Sequence, residues 1–376
     1  MKTICLDISV LSDYQMTGIG VYTFELIDAL LKVNKEDKFI LFGISTFQTY
    51  EYMRNLELKK YPNVEMKIYR LPARFFRLSF LIWQKLEWPK IETLTGSIDI
   101  FHGFNWFMPP QKLGKKVATV FDTTSILFPG FHNEKTTQLD KMRFTRIAKD
   151  ADLILAISEN SKKDFLRMNP KGLVEVVYPA VSDRFNNLED RKESENILEK
   201  YHLAPGYFLS VSTLEPRKNL QNLIEAYLKS GLDIPLVLVG RIGWKNEKLI
   251  KTLADHPQIK IVGYVPDNEL KILYQQALCL IYPSFYEGFG LPVLEALKCG
   301  TPVISSNTSS LPEVGGEAVL YINPKDIKMI SSTMKKIYVN KDLRKKLSEK
   351  GLRQVQQFSW VKSAEKLNVL YQKIMS

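Results

Sequence analysis

The chain has 376 residues, 45% hydrophobic and 25% charged, a composition ordinary for a globular protein long enough for two domains. It contains no run of 18 apolar residues, which excludes a spanning helix. The net charge of +11 is diffuse: residues 1–180 hold 25 basic and 20 acidic side chains, and the rest hold 27 and 21. A nucleic-acid surface would concentrate its cations, so none is expected, whereas an anionic small ligand or an anionic membrane surface fits.

The first stretch, MKTICLDISVLSD, has one basic residue and an acid by position 7, so Lys2–Ile8 is expected to be a buried strand and not a signal peptide. Thr17-Gly18-Ile19-Gly20 follows, and Val21, Phe24, Ile27, Leu30 and Leu31 recur at helical spacing. Gly18 and Gly20 therefore open a helix, either as a phosphate or sugar approach or as a plain tight turn. Thr23 stands where a dinucleotide fingerprint has its third glycine. Strands are expected at Phe39–Gly43 and Val64–Ile68. Arg74–Trp88 is basic, aromatic and roughly helical: it reads as a helix on a membrane surface or receiving a lipid-linked substrate, or as a surface helix with one buried face. Strands Ile98–Phe101, Lys116–Phe121, Leu153–Ile157 and Val174–Tyr178 alternate with helices Lys135–Lys149 and Asn160–Met168, the second capped by Ser158.

Asp183–Pro205 is polar and poor in large apolar residues, the expected linker, with some helix in its second part. Beyond it the alternation restarts, with strands Tyr207–Val211, Leu236–Val239, Ile259–Val262, Leu278–Tyr282 and Val303–Ser305. Helices are expected at Leu220–Lys229, Glu247–Ala254 and Asn268–Gln276, then from Asp326 to the last residue with a break near Phe358-Ser359. Two successive α/β runs predict two Rossmann-like, doubly wound parallel-sheet domains facing across a cleft. The three widely spaced cysteines, Cys5, Cys279 and Cys299, suggest free thiols in a reducing cytoplasm.

Tyr282–Gly300, YPSFYEGFGLPVLEALKCG, organises the second half. A strand runs into a glycine-bearing loop and then a helix from Leu291 to about Lys298, with Pro292 at its start and Gly300 past its end. Such a helix start binds anions. Glu287 and Glu295, the latter placed in about the first turn, would repel a bare phosphate but accept well from a vicinal diol. They suggest a ligand with both phosphate and sugar, or simply an acidic helix start stabilised by its own dipole. In parallel sheets ligands bind beyond the C-terminal strand ends. That rule selects Asp7, His102, Asp122, Ser158, Thr213–Lys218, Gly240-Arg241, Gly263-Tyr264 and the central loop. Arg217 and Lys218 precede a helix and would hold a diphosphate. Asp150-Ala151-Asp152 has the spacing of a sugar-transferase metal motif but precedes a strand, at the edge away from the ligands. With four scattered histidines and no Cys/His cluster, no metal and no cofactor is expected. No G-x-S-x-G elbow supports a serine triad.

EGFGLPVLE at 287–295 with EPRKNL at 215–220 resembles the family 4 retaining glycosyltransferases of GT-B fold. The supporting pieces match in order over nearly the whole chain: TGIG, DIFHG, ILAISENSKKDF, VVYPAVSDRF, VGYVPDNEL and CGTPVISSNTSSLPEVGGEAVLY. It looks most like the bacterial branch that builds surface polysaccharide, including mannosyl- and rhamnosyltransferases. The resemblance implies an acceptor-binding domain over 1–182, a linker over 183–205, a nucleotide-sugar domain over 206–359, and a last helix, 360–376, crossing back to the first domain. By motif position Arg217 and Lys218 would hold the donor diphosphate, Glu295 the ribose hydroxyls and Glu287 the transferred sugar. Backbone at Gly263, Tyr264 and Val265 would meet the base. Thr213, Gly288, Phe289, Gly290 and Leu291 would complete the donor site, with Gly18 and Gly20 approaching from across the cleft. Many relatives carry His-Asp after the fifth strand; here Phe121 replaces the histidine, so that role does not carry over, and Asp122 and His102 are left as acceptor-side candidates.

The expected reaction is metal-independent transfer, with retained configuration, from a nucleoside-diphosphate sugar such as GDP-mannose to a glycan carried on lipid, at the inner face of the cell membrane. Two alternatives use related folds. A nucleotide-sugar epimerase would act without an acceptor. A nicotinamide dehydrogenase would need an acid after the second strand, where Ile44-Ser45 stands.

Overall fold

Runs of four to eight apolar residues bounded by helical stretches become strands buried on both faces, as parallel strands covered by helices must be. The computed structural model describes residues 1–13, 17–72, 83, 86–105, 108–185, 191–241, 243 and 256–376. It divides into two units, Met1–Pro179 with Ser359–Ser376, and Ala180–Phe358. The helix expected at Glu247–Ala254 and most of Arg74–Trp88 lie outside the described residues.

In the first unit β1 (Thr3–Asp7), β2 (Lys38–Ser45), β3 (Val64–Arg70), β4 (Ile100–Gly103), β5 (Lys115–Val120), β6 (Leu153–Ala156) and β7 (Val174–Val176) form one parallel sheet, ordered β3-β2-β1-β4-β5-β6-β7. The order reverses between β1 and β4. Around it lie α1 (Gly18–Val33), α2 (Glu134–Asp150) and α3 (Glu159–Met168). Ser158 caps α3, its hydroxyl accepting from Ser161 N at 3.0 Å. The helix Trp360–Met375 belongs to this unit. Trp360 packs edge-on to Tyr22 at 5.6 Å, Asn34 Nδ2 donates to Asn368 Oδ1 at 2.8 Å, and Ser363 Oγ donates to Tyr178 O at 2.7 Å. Asp150 and Asp152 are spent locally at the N-terminal edge. Lys116 N donates to Asp152 Oδ2 at 2.8 Å, and Asp150 pairs with Arg146.

In the second unit β8 (Tyr207–Val211), β9 (Leu236–Val239), β10 (Ile259–Gly263), β11 (Ala277–Tyr282), β12 (Val303–Ser306) and β13 (Leu320–Ile322) form a parallel sheet ordered β10-β9-β8-β11-β12-β13. Here the reversal falls between β8 and β11. Residues 183–205 hold α4 (Arg191–Lys200), which Lys200 ties to Glu269 at 2.8 Å within this unit. The other helices of eight or more residues among the described residues of this unit are α5 (Leu220–Ser230), α6 (Asp267–Gln276), α7 (Leu291–Lys298), α8 (Ile327–Val339) and α9 (Lys341–Gln354). α5 buries Leu220, Leu223, Ile224 and Tyr227, the spacing of one helical face, against a core shared with Ile330, Met334 and Ile337 of α8. Cys279 lies in that core, where burial pushes its thiol up and makes it a packing residue. Among the described residues, no helix is long and apolar enough to cross a membrane.

Candidate active site

The loops leaving β8 and β11 rise side by side from the C-terminal edge of the second sheet, at its reversal of strand order. After β8 the chain makes a short turn, Pro216–Lys218, and Asn219 takes a left-handed conformation (φ 59°) to start α5. Its Nδ2 donates to Pro283 O at 3.0 Å and to Pro324 O at 2.6 Å, and Phe285 N donates to Arg217 O at 2.9 Å. Backbone and side chain together lock the Arg217-Lys218 turn to the loop that carries Glu287.

The cations and the first glutamate meet. Arg217 Nη1 donates to Glu287 Oε2 at 2.7 Å and to Tyr286 O at 2.8 Å, while its Nε and Nη2 reach Glu215 Oε1 at 3.1 and 2.7 Å. Lys218 Nζ donates to Glu287 Oε1 at 2.8 Å and to Tyr282 Oη at 3.1 Å. Glu215 and Glu287 are buried. Burial alone would raise the Glu287 pKa, but Arg217 and Lys218 outweigh it and bring the value to about 2. Burial pulls the Lys218 ammonium below its ordinary value, offset in part by Glu287. Arg217 and Lys218 are thus matched within the protein by Glu215 and Glu287. Any anion that binds there must share the two cations with Glu287 or take them over.

Glu295 stands apart from this cluster. It is the fifth residue of α7, in the second turn and not the first. Tyr274 Oη donates to its Oε2 at 2.8 Å, and burial raises its pKa to about 7. The two glutamates thus have separate partners and opposite shifts. Between them, Ser309 Oγ accepts from Glu287 N at 2.9 Å, and Ser310 Oγ donates to Glu287 O and Phe289 O. Gly290 caps α7 at φ 117°, and a Cβ there would lie 2.7 Å from Leu311 Cδ2. Gly290→Ala is therefore expected to cost about 1–3 kcal/mol and several degrees of melting temperature, read by calorimetry. An unaltered melting point would contradict that strain.

Of the remaining donor candidates, Thr213 is exposed on the loop after β8. Tyr264 is 45% exposed with the Arg241 guanidinium 5.4 Å from its ring, Gly263 has φ +79°, and Val265 is buried. Gly18 and Gly20 open α1 in the first unit, and Gly20 N donates to Thr17 Oγ1 at 3.5 Å. His102 is a core residue. It is fully buried, stacks on Phe104 at 4.1 Å, and uses both ring nitrogens, Nδ1 with Tyr371 Oη at 2.6 Å and Nε2 with Thr119 Oγ1 at 2.7 Å. No ring atom remains for an acceptor. Asp122 accepts from Thr124 N at 3.0 Å and Thr124 Oγ1 at 2.5 Å, holding the start of the short helix Thr124–Leu127. Tyr274 was not singled out by sequence, and Glu215 and Tyr282 entered only as members of the stretches Thr213–Lys218 and Tyr282–Gly300. Glu215 lies inside the EPRKNL motif, a usable signal, whereas nothing in sequence joins Tyr274 to a glutamate 21 positions away.

Two parallel-sheet units of seven and six strands are the architecture of the GT-B glycosyltransferase fold. The family model described as glycosyl transferases group 1 matches residues 190–354. O-antigen chain mannosyltransferase B of Escherichia coli is 34% identical over 92% of this chain and 93% of that protein. The chain belongs to this group 1 glycosyltransferase family. O-antigen chain mannosyltransferase RfbU of Salmonella typhimurium is 34% identical over 60% of this chain and 61% of its own length. A sucrose-phosphate synthase from Thermosynechococcus elongatus superposes with a TM-score of 0.75 at 19% identity, covering 100% of this chain and 99% of that one. WaaG, a glycosyltransferase involved in lipopolysaccharide biosynthesis, gives 0.69 at 16%, covering 98% of each chain. Both likenesses bear on the fold.

Proposed function

We propose that the chain is a retaining, metal-independent hexosyltransferase that moves mannose from GDP-mannose to a hydroxyl of a lipid-linked glycan during surface-polysaccharide assembly, at the inner face of the cell membrane. The observation that carries this reading is the buried Arg217–Lys218–Glu287 cluster on the loops of β8 and β11, beside the first turn of α7. The mannose and polysaccharide assignments draw support from the names of the Escherichia coli and Salmonella relatives. Membrane contact draws support from Leu86 and Trp88, 65% and 73% exposed, at the end of the basic aromatic stretch.

In this reading the diphosphate takes Arg217 and Lys218 over from Glu287, whose carboxylate turns to the sugar hydroxyls. The anomeric C–O bond to phosphate breaks toward an oxocarbenium-like state, and both cations stabilise the leaving oxygen. The acceptor oxygen attacks from the same face and gives its proton to the departing phosphate, so no protein base is needed. Arg217 and Lys218 do the neutralising that a divalent ion would otherwise do. Glu295 accepts from the ribose diol.

The test is incubation with radiolabelled GDP-mannose, UDP-glucose or dTDP-rhamnose, with and without a lipid-linked glycan, in EDTA. Mannose is expected to reach the glycan only, undiminished by EDTA, with the donor's anomeric configuration by NMR. An inverted product, loss of activity in EDTA, or sugar conversion without acceptor would overturn the proposal.

A further inference from the structure

Tyr274 is wholly buried on α6 and is anchored at both ends. Its carbonyl accepts from Thr301 Oγ1 at 2.7 Å, and Thr301 N donates to Ala296 O at 2.9 Å, so its backbone is tied to the turn that ends α7. Its hydroxyl donates to Glu295 Oε2 at 2.8 Å. Glu295 is half-buried, and its Oε1 has no hydrogen bond among the described residues. A glutamate side chain is long and costs about 1.5–2 kcal/mol in rotamer entropy to immobilise. Here one oxygen is already pinned by a rigid phenol, and the other is left to accept.

We propose that Tyr274 is a positioning residue for donor binding: its hydroxyl holds the Glu295 carboxylate so that Oε1 meets the ribose diol of the sugar nucleotide. This rests on the reading of Glu295 as the hydroxyl-binding acid. The same hydrogen bond makes donor affinity pH-dependent. The groups facing Glu295 are Tyr274 and Asp267 on α6 and Cys299 at the end of α7, and Lys271 and Lys298 act in turn on Cys299. Asp183 pairs with Lys298, and Arg184 with Asp267. Burial raises Glu295 to about 7, with Asp267 adding to it, and Tyr274 works against both. The ionised carboxylate is the better acceptor, so affinity rises with pH through about 7. Without the phenol that midpoint moves up.

The test measures binding of GDP and 2′-deoxy-GDP, with UDP and 2′-deoxy-UDP in parallel, by calorimetry from pH 6 to 8.5, and donor KM and kcat. Tyr274→Phe is expected to weaken binding of the ribonucleotide about 5–20-fold at pH 7.5, with kcat within about threefold, and to raise the pH midpoint. The loss should shrink for the 2′-deoxy probe, which a merely structural role would not produce. Replacement by 3-fluorotyrosine keeps the ring and strengthens the donor, so it should lower the midpoint, and it serves if Tyr274→Phe does not fold. If Glu295→Gln abolishes the pH step while both Tyr274 replacements leave midpoint and KM as in the parent, the inference falls and the donor site stands. If Glu295→Gln changes neither affinity nor pH dependence, the donor reading of Glu295 falls, and the inference with it.

Discussion

Replacing Arg217 and Lys218 together with alanine is expected to lower the rate of sugar transfer by about 10²–10³, the cost of losing fixed positive charge where the proposed reaction develops leaving-group charge. The structure adds a complication. Both side chains are ion-paired inside the protein, Arg217 with Glu215 and Glu287, Lys218 with Glu287. Removing them leaves two buried carboxylates unpaired, and breaking a buried pair from one side costs about 3–5 kcal/mol. Lost activity alone could therefore report a damaged second unit. Adding Glu287→Gln, with Glu287→Gln alone as the reference rate, separates the two effects. The triple variant removes the stranded charge on Glu287, so its melting temperature should recover a good part of the loss while transfer stays slow. If rate recovers with stability, the cations act by holding the loops together and the catalytic assignment is lost. A double variant within threefold of the parent rate would sink it directly.

The sheets were legible because buried parallel strands and amphipathic helices write their periods plainly. Tyr207–Val211 and Leu236–Val239 run as the sequence predicts, and α5 extends one residue past its expected end at Lys229. Three features were not legible. β13 is only three residues, too short to show a period. The long tail breaks at Asn340, which caps α9 by accepting from Leu343 N at 2.8 Å, a signal lost among the surrounding lysines. Residues 183–205 read as a linker with some helix in its second part, where α4 lies, but its polar sequence did not show that α4 docks through Ser194, Leu198 and Lys200. The site was half legible. Motif spacing singled out Arg217, Lys218, Glu287 and Glu295, and the structure brings the first three together. Spacing did not reveal that Glu287 neutralises the cations while Glu295 is held near neutrality by burial, because charge state depends on neighbours far away in sequence. The same limit explains His102. A histidine at a strand end beside a glycine looks like a ligand group, and only its partners on β5 and on Trp360–Met375 show otherwise.

Acid should unfold the first unit through His102. Burial depresses its pKa to about 3, so the native state holds the ring neutral while the unfolded chain protonates near 6.5. A depressed folded pKa contributes stability that is full above the unfolded value and is lost as pH falls through the folded one. The window is therefore about pH 6.5 down to 3, and the loss approaches about 5 kcal/mol at 1.36 kcal/mol per unit. His102→Leu tests this. It strands the Tyr371 and Thr119 hydroxyls, both buried, and should cost about 2–4 kcal/mol at pH 7.5. Leucine does not titrate, so the penalty should shrink as pH falls below 6.5, and the two stability curves should meet near pH 4 to 5. Other acids titrate in the same range but cancel in the difference. Guanidinium unfolding of parent and variant across pH 4 to 8 reads it directly, and curves that stay parallel would show that His102 carries no proton-linked stability. Because both ring nitrogens are already bonded in the core, the variant should keep the parent's KM for acceptor wherever it is folded. A large rise in acceptor KM without loss of stability would return His102 to the acceptor side.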